Sequence, residues 1–297
     1  MITRITALAA LLLCAPLAAA EIRLTDATGH ELVLPGPAQR IVSLAPHITE
    51  VLFAAGAGDK VVGVVAYSDY PEAARRLPQV GSYTKVDLEA VAALRPDLVV
   101  GWVSGNPPAN LDKLRALGIP VFVSEARNLA DVATSLETVG RLAGTEAVAH
   151  AAAESFRARR AALAARYGAR PTVRMFYQIW DRPLMTINGT HVISDAIRLC
   201  GGENVFAGLG PLAATIGVEA VLAADPEAIV ASGMGEERPE WLEQWRNWPN
   251  LTAAATGNLF FIPPQLIQRH TPRLLDGAEQ LCVHLEQARA RREAAPR

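Results

Sequence analysis

The residues of this chain best equipped for chemistry are six scattered histidines and a group of large aromatic side chains. His30, His47, His150, His191, His270 and His284 do not make a metal-ligand spacing, and no HExxH, Gly-Lys-Ser/Thr phosphate loop, nucleophile elbow or cysteine cluster accompanies them. Bond-making chemistry is therefore not expected: no catalytic residue, no cofactor and no resident metal. His150 and His284 fall in helical stretches and read as solvated side chains. His47 and His270 each sit in a proline-containing turn near a strand end, where a side chain can face a ligand.

The aromatics point more clearly. Tyr67, Tyr70, Tyr83 and Trp102 fall at or just past predicted strand ends in the first half of the chain, and Tyr177 and Trp180 on or after the first strand of the second. Ligands of open α/β sheets bind beyond the carboxyl ends of the strands. Planar side chains there suit a large, partly planar, partly apolar ligand. For any one of them, capping the core is an equal alternative; together they outline a pocket. Arg269, in the turn Gln268-Arg269-His270-Thr271-Pro272, is a polar handle if that turn faces the pocket and a surface residue if it does not.

Short β-rich runs alternate with helical ones to position these groups. Arg40–Leu44, Lys60–Val65, Asp97–Trp102 and Val121–Val123 read as strands; Ile48–Ala55, Leu88–Leu94 and Leu111–Leu117 read as helices. That alternation predicts an α/β fold of Rossmann-like lobes with mainly parallel sheets. Thr145 to Tyr167 breaks the rhythm. It is rich in Ala and Arg, free of Gly and Pro, and followed by Gly168 and Pro171, which predicts one long rigid helix. From Val173 the alternation resumes. The expected organisation is an N-terminal lobe over 21–143, a linking helix over 144–168 and a C-terminal lobe over 169–297.

Two internal echoes support related lobes. DLEAVAALRPDLVVGWVSG at 87–105 is matched by GVEAVLAADPEAIVASGMG at 217–235, and TEVLFAAGAGDKV from Thr49 by SDAIRLCGGENVF from Ser194, in the same order. Glu89 and Glu219 occupy matching places just inside a helix start. They are either ordinary first-turn acids or a symmetry-related pair of anionic knobs, one per lobe.

Residues 1–20 have the build of a cleavable secretory signal: Arg4, an apolar run from Ile5 to Leu13 too short to span a bilayer, and Ala18-Ala19-Ala20 before Glu21. Lipid anchoring at Cys14 is disfavoured, because Leu13 stands where a lipoprotein site wants a small residue. Removing the signal leaves 27 basic against 30 acidic residues, a balance that gives no electrostatic reason for nucleic-acid binding. The remaining cysteines, Cys200 and Cys282, meet an oxidising compartment, where an isolated pair reads as a disulfide; two separately buried thiols are the alternative.

At this point the chain resembles the periplasmic cobalamin-binding proteins of ABC importers, within the helical-backbone metal-receptor superfamily. RIVSLAPHITEVLFAAG (Arg40–Gly56), VAYSDYP (Val65–Pro71), LEAVAALRPDLVVGW (Leu88–Trp102), CGGENVF (Cys200–Phe206), VEAVLAADPEAIV (Val218–Val230) and TPRLLDGAEQLC (Thr271–Cys282) carry the likeness. The resemblance implies a class III binding-protein fold, a periplasmic location and a solute, cobalamin or a related corrinoid, held between the lobes. It makes Tyr67, Tyr83 and Trp102 aromatic walls and Arg269 a contact to corrin side chains. It makes Glu89 and Glu219 the acids that dock onto arginines of a permease dimer, and Cys200 and Cys282 the family's disulfide. Three departures stand out: Ala213 replaces a tryptophan, Gln265 an aspartate, and His47 a smaller polar residue. Trp180 is a substitute aromatic surface, and His47 a potential ligand to a metal-centred solute. The rival readings are a haem or ferric-siderophore receptor of the same fold and, in another class, a secreted metal-dependent hydrolase.

Overall fold

The computed structural model describes residues 21–233 and 240–294. The expected signal segment, with Cys14, lies outside the described residues. The N-terminal lobe opens with an antiparallel hairpin, β1 (Ile22–Thr25) and β2 (Glu31–Leu34). There follow β3 (Ile41–Ser43), α1 (Pro46–Ala54), β4 (Val61–Val64), α2 (Leu88–Ala93), β5 (Leu98–Trp102), α3 (Pro108–Ala116) and β6 (Val121–Ser124). The four strands from β3 to β6 make one parallel sheet in the spatial order β4-β3-β5-β6. Their near-complete burial explains why they read as unbroken apolar runs.

Two antiparallel helices follow, α4 (Leu129–Ala143) and α5 (Glu146–Tyr167). Asn128 caps α4 in a capping box with Asp131, and Gly144 ends it at φ 69°, a left-handed turn that glycine takes without steric cost. The predicted long helix is α5, though it does not stand alone. It packs on α4 through Ala149, Ala153 and Phe156, and Arg157 clamps Glu137 of α4 with bonds of 2.7 and 2.8 Å.

The second lobe contains β7 (Val173–Gln178), β8 (Met185–Ile187), α6 (Val192–Leu199), β9 (Gly202–Asn204), β10 (Ala213–Thr215), α7 (Val218–Ala224) and β11 (Ala228–Ala231). Short helices α8 (Glu240–Glu243) and α9 (Thr252–Ala255) precede β12 (Leu259–Phe261). The chain closes with α10 (Pro264–Ile267) and α11 (Leu274–Ala294). The parallel sheet runs β9-β7-β11-β12, while β8 and β10 pair separately. Numbered within each lobe, both sheets have the order second-first-third-fourth strand. The sequence echoes therefore reflect one architecture used twice: 87–105 and 217–235 each supply a short helix and then the third strand of their lobe's sheet.

One apolar cluster runs unbroken from Leu32 and Ile41 through Leu136 and Phe156 to Ile197 and Leu285, joining both lobes through the helical layer. Separate clusters back the far faces of the two sheets, around Val99 and Leu114 and around Phe176 and Trp245. No helix among the described residues is long and apolar enough to cross a membrane.

Cys200, at the end of α6, is bonded to Cys282 of α11, with an S–S distance of 2.07 Å and a sequence separation of 82 residues. Closing so long a loop stabilises by about 4–5 kcal/mol in the chain-entropy model. Replacing both cysteines with alanine is expected to lower the unfolding free energy by that amount, read from urea midpoints. A loss below about 1 kcal/mol would show that packing of α11 alone fixes this helix.

Candidate functional site

The site grows from strand ends. At the end of β5, Trp102 turns its ring back over Gly105, where an added Cβ would lie 1.8 Å from the indole; only glycine permits this fold-back. Asn106, 2% exposed, ties the corner together. Its Oδ1 accepts from Trp102 N at 2.7 Å, and its Nδ2 donates to Tyr83 O at 2.8 Å and Leu44 O at 3.0 Å. Tyr83 is thereby set beside Trp102, ring centroids 5.9 Å apart.

His47, in the first turn of α1, meets Trp102 edge-on at 4.9 Å. His270 comes from the other lobe and lies 5.2 Å from His47 and 6.2 Å from Trp102, with His191 5.9 Å beyond it. A cavity of about 370 Å³ opens between the lobes here, lined by Trp102, Ser104, Ile179, His191, Ala213 and His270 among others. A second cavity of about 150 Å³ reaches under His47 and His270 toward α4. Two buried donor or acceptor atoms on these walls, Trp102 Nε1 and His270 Nδ1, have no hydrogen-bond partner.

Burial depresses all three imidazoles. His270 is pushed down to about 4, and His191 to about 3 by burial and then the neighbouring His270. His47 falls well below its ordinary value through burial, His270 and Arg269 in turn. The cluster is therefore uncharged at neutral pH.

Arg269 does not point a free guanidinium into this cavity. It is held by Glu50 at 2.7 Å and Asp69 at 2.6 Å, and donates to Tyr67 O at 3.1 Å. Arg273 reaches Glu50 with bonds of 2.9 and 2.8 Å and lies 3.7 Å over the Tyr70 ring. Burial alone would raise Asp69, but hydrogen bonding and charge from Arg269 hold it below the usual carboxylate range. Glu50, Asp69, Tyr67 and Tyr70 belong to the first lobe and both arginines to the second, so this is an inter-lobe latch. Leu129 N donating to Asp195 Oδ2 at 2.9 Å is a second tie.

The remaining expected residues lie apart from the cluster. Tyr67 stands 74% exposed at φ 66°, a left-handed backbone costing a bulky residue about 1–3 kcal/mol, a strain typical of ligand-binding positions. Trp180 lines a different concavity with Arg182 and Trp241, whereas Ala213 lies on the main cavity wall. Gln265 is half-buried on α10. Tyr177 is fully buried core, so for it the capping alternative is the right one. Glu89 and Glu219 sit exposed in the first turns of α2 and α7, and neither forms an ion pair with a described residue. Each acid stands one residue into the short helix that precedes the third strand of its lobe's parallel sheet.

A chain built as two like parallel-sheet lobes joined through helices, with an aromatic and histidine-lined cleft between them, has the form of a solute receptor. It belongs to the periplasmic binding protein family, whose model matches residues 41–266. It is 36% identical over 256 residues to the vitamin B12-binding protein of Vibrio parahaemolyticus, covering 86% of this chain and 92% of that protein. It is 38% identical over 255 residues to the vitamin B12-binding protein of Yersinia pestis, covering 86% and 89%. Among solved structures, the periplasmic vitamin B12 binding protein of Vibrio cholerae superposes with a TM-score of 0.78 at 36% identity, over 85% of this chain and 98% of that one. A periplasmic heme binding protein from Pseudomonas aeruginosa gives 0.71 at 28% identity, over 83% and 92%. These relatives bind solutes and are not enzymes, which sets the hydrolase reading aside.

Proposed function

We propose that this protein captures cobalamin or a closely related corrinoid in the inter-lobe cleft and delivers it to an ABC permease dimer in the inner membrane. It would work in the periplasm, after cleavage of the signal at 1–20. The observation that carries the reading is the Tyr83–Trp102 wall, pinned by Asn106 at the mouth of the cleft. It offers planar apolar surface beside unpartnered polar atoms, in a chain similar over most of its length to receptors named for vitamin B12. Tyr67 and Trp180 add exposed aromatic surface, and Arg269 becomes available to amide side chains of the ligand once the latch opens. Glu89 and Glu219 serve as the permease contacts.

Titrating the purified protein with cyanocobalamin and, separately, with haem tests the assignment by the absorption of each chromophore. Micromolar or tighter cobalamin binding without a haem response is the expected result, and Trp102→Ala should weaken it about tenfold, the loss of roughly one aromatic stacking contact. Haem binding without cobalamin binding would overturn the assignment.

A further inference from the structure

Two imidazoles face each other from opposite lobes. His47 belongs to α1 and His270 to the turn before α11, with ring centroids 5.2 Å apart. His270 is only 6% exposed, and its Nδ1 is buried with no partner. No hydrogen bond among the described residues involves the His47 ring. A buried nitrogen left without a partner needs a reason, because desolvating it costs free energy that nothing here returns. His191 differs. Its Nδ1 accepts from Ile193 N at 3.1 Å, so its neutral ring carries the proton on Nε2 and presents a donor rather than a lone pair.

A bare metal ion does not fit this arrangement. It needs three or four converging ligand atoms, and the one such group among the described residues is Glu137, His150 and Glu154. That group is at the surface, with Arg157 already bridging both glutamates. A metal that arrives inside a macrocycle brings its own equatorial ligands and needs one axial donor. Neutral imidazole is a common donor of that kind.

We propose that the cleft binds its cargo partly by coordination, His270 giving an imidazole nitrogen to an open axial position of the cargo's metal, with His47 as the donor of the facing lobe. This rests on the corrinoid reading above. The cobalt–water bond breaks, water leaves with its electron pair, and the imidazole lone pair takes its place. Cobalt keeps its oxidation state and no proton moves. Arg269 anchors the same turn to Glu50 and Asp69, so release of that latch lets the lobes separate, draws His270 off His47 and opens the gap a ligand enters.

The test uses two corrinoids lacking the lower base: aquocobinamide, with exchangeable water on cobalt, and dicyanocobinamide, with both axial positions blocked. Wild-type protein is expected to shift the visible bands of aquocobinamide and to bind it at least about tenfold more tightly than the blocked form, the effect of one added bond. His270→Gln should remove that advantage, the two corrinoids then binding within about twofold of each other, and a circular dichroism spectrum matching wild type reports that the variant is folded. A shift that survives in His270→Gln but disappears when His47→Gln is added assigns the bond to His47 and still supports the proposal. Binding of aquocobinamide without a band shift, or a shift persisting in the double variant, would overturn coordination and leave the corrinoid function standing. Failure to bind either compound would remove both.

Discussion

Reversing the charges of Glu89 and Glu219 together is expected to abolish uptake while leaving cargo affinity within about twofold, since both acids lie outside the cleft. Each carboxylate stands exposed at a helix start with no partner in the described fold. Substitution should therefore change stability by less than about 0.5 kcal/mol. At an interface the balance is different. A carboxylate meeting an arginine makes a charge-assisted, often bidentate contact, and a lysine in its place sets like charges against each other at a cost of several kcal/mol. Two such losses of about 2 kcal/mol each weaken docking by roughly a thousandfold. Uptake by receptor and permease reconstituted in vesicles measures one half of the prediction, and titration of the isolated receptor the other. Undiminished uptake by Glu89→Lys with Glu219→Lys would sink the docking assignment.

The second large effect falls on stability. Glu50 is 2% exposed at its side chain and neutralises Arg269 and Arg273, which are 16% and 19% exposed. Glu50→Ala leaves two guanidiniums facing each other in a largely dry seam. Removing one member of a buried ion pair costs about 3–5 kcal/mol. The lower end is expected, because Asp69 still holds Arg269, Arg273 keeps its place over Tyr70, and both arginines touch solvent. Glu50→Gln should lose less, since an amide oxygen still accepts. Denaturant unfolding of the three proteins measures the series, and an alanine variant within about 1 kcal/mol of wild type would mean that water replaces the carboxylate at little cost. Because the latch joins the lobes, the same substitution should also speed cargo release.

Much of the fold is legible in the sequence because its punctuation is local. Gly56, Arg95-Pro96, Gly168 and Pro171 close elements where propensity says they should, and strands buried on both faces show as apolar runs. Helix α4 is passed over by the strand–helix alternation, although its own signals are present: Asn128 three residues before Asp131, apolar residues at 132, 136, 139 and 143, then Gly144. Of the site, the aromatic positions are readable because a strand end is a place as well as a residue type. The latch is not. Glu50 and Arg269 are 219 residues apart, and nothing local marks a helix glutamate as one that a distant arginine will bury. For the same reason the turn holding Arg269 reads as an open handle, and His191 joins the cluster unannounced.

The shared strand order of the two lobes has a consequence for the partner. A permease built as a two-fold dimer presents the same surface twice, and this receptor answers with two copies of one architecture, each carrying its glutamate at the same structural address. To first order such a partner cannot tell one lobe from the other. On the docking proposed above, the receptor would land in either of two poses related by half a turn. Rotational search is halved, at the cost that the cargo arrives facing either way. A translocation path entered from both poses would have to accept the cargo in both orientations.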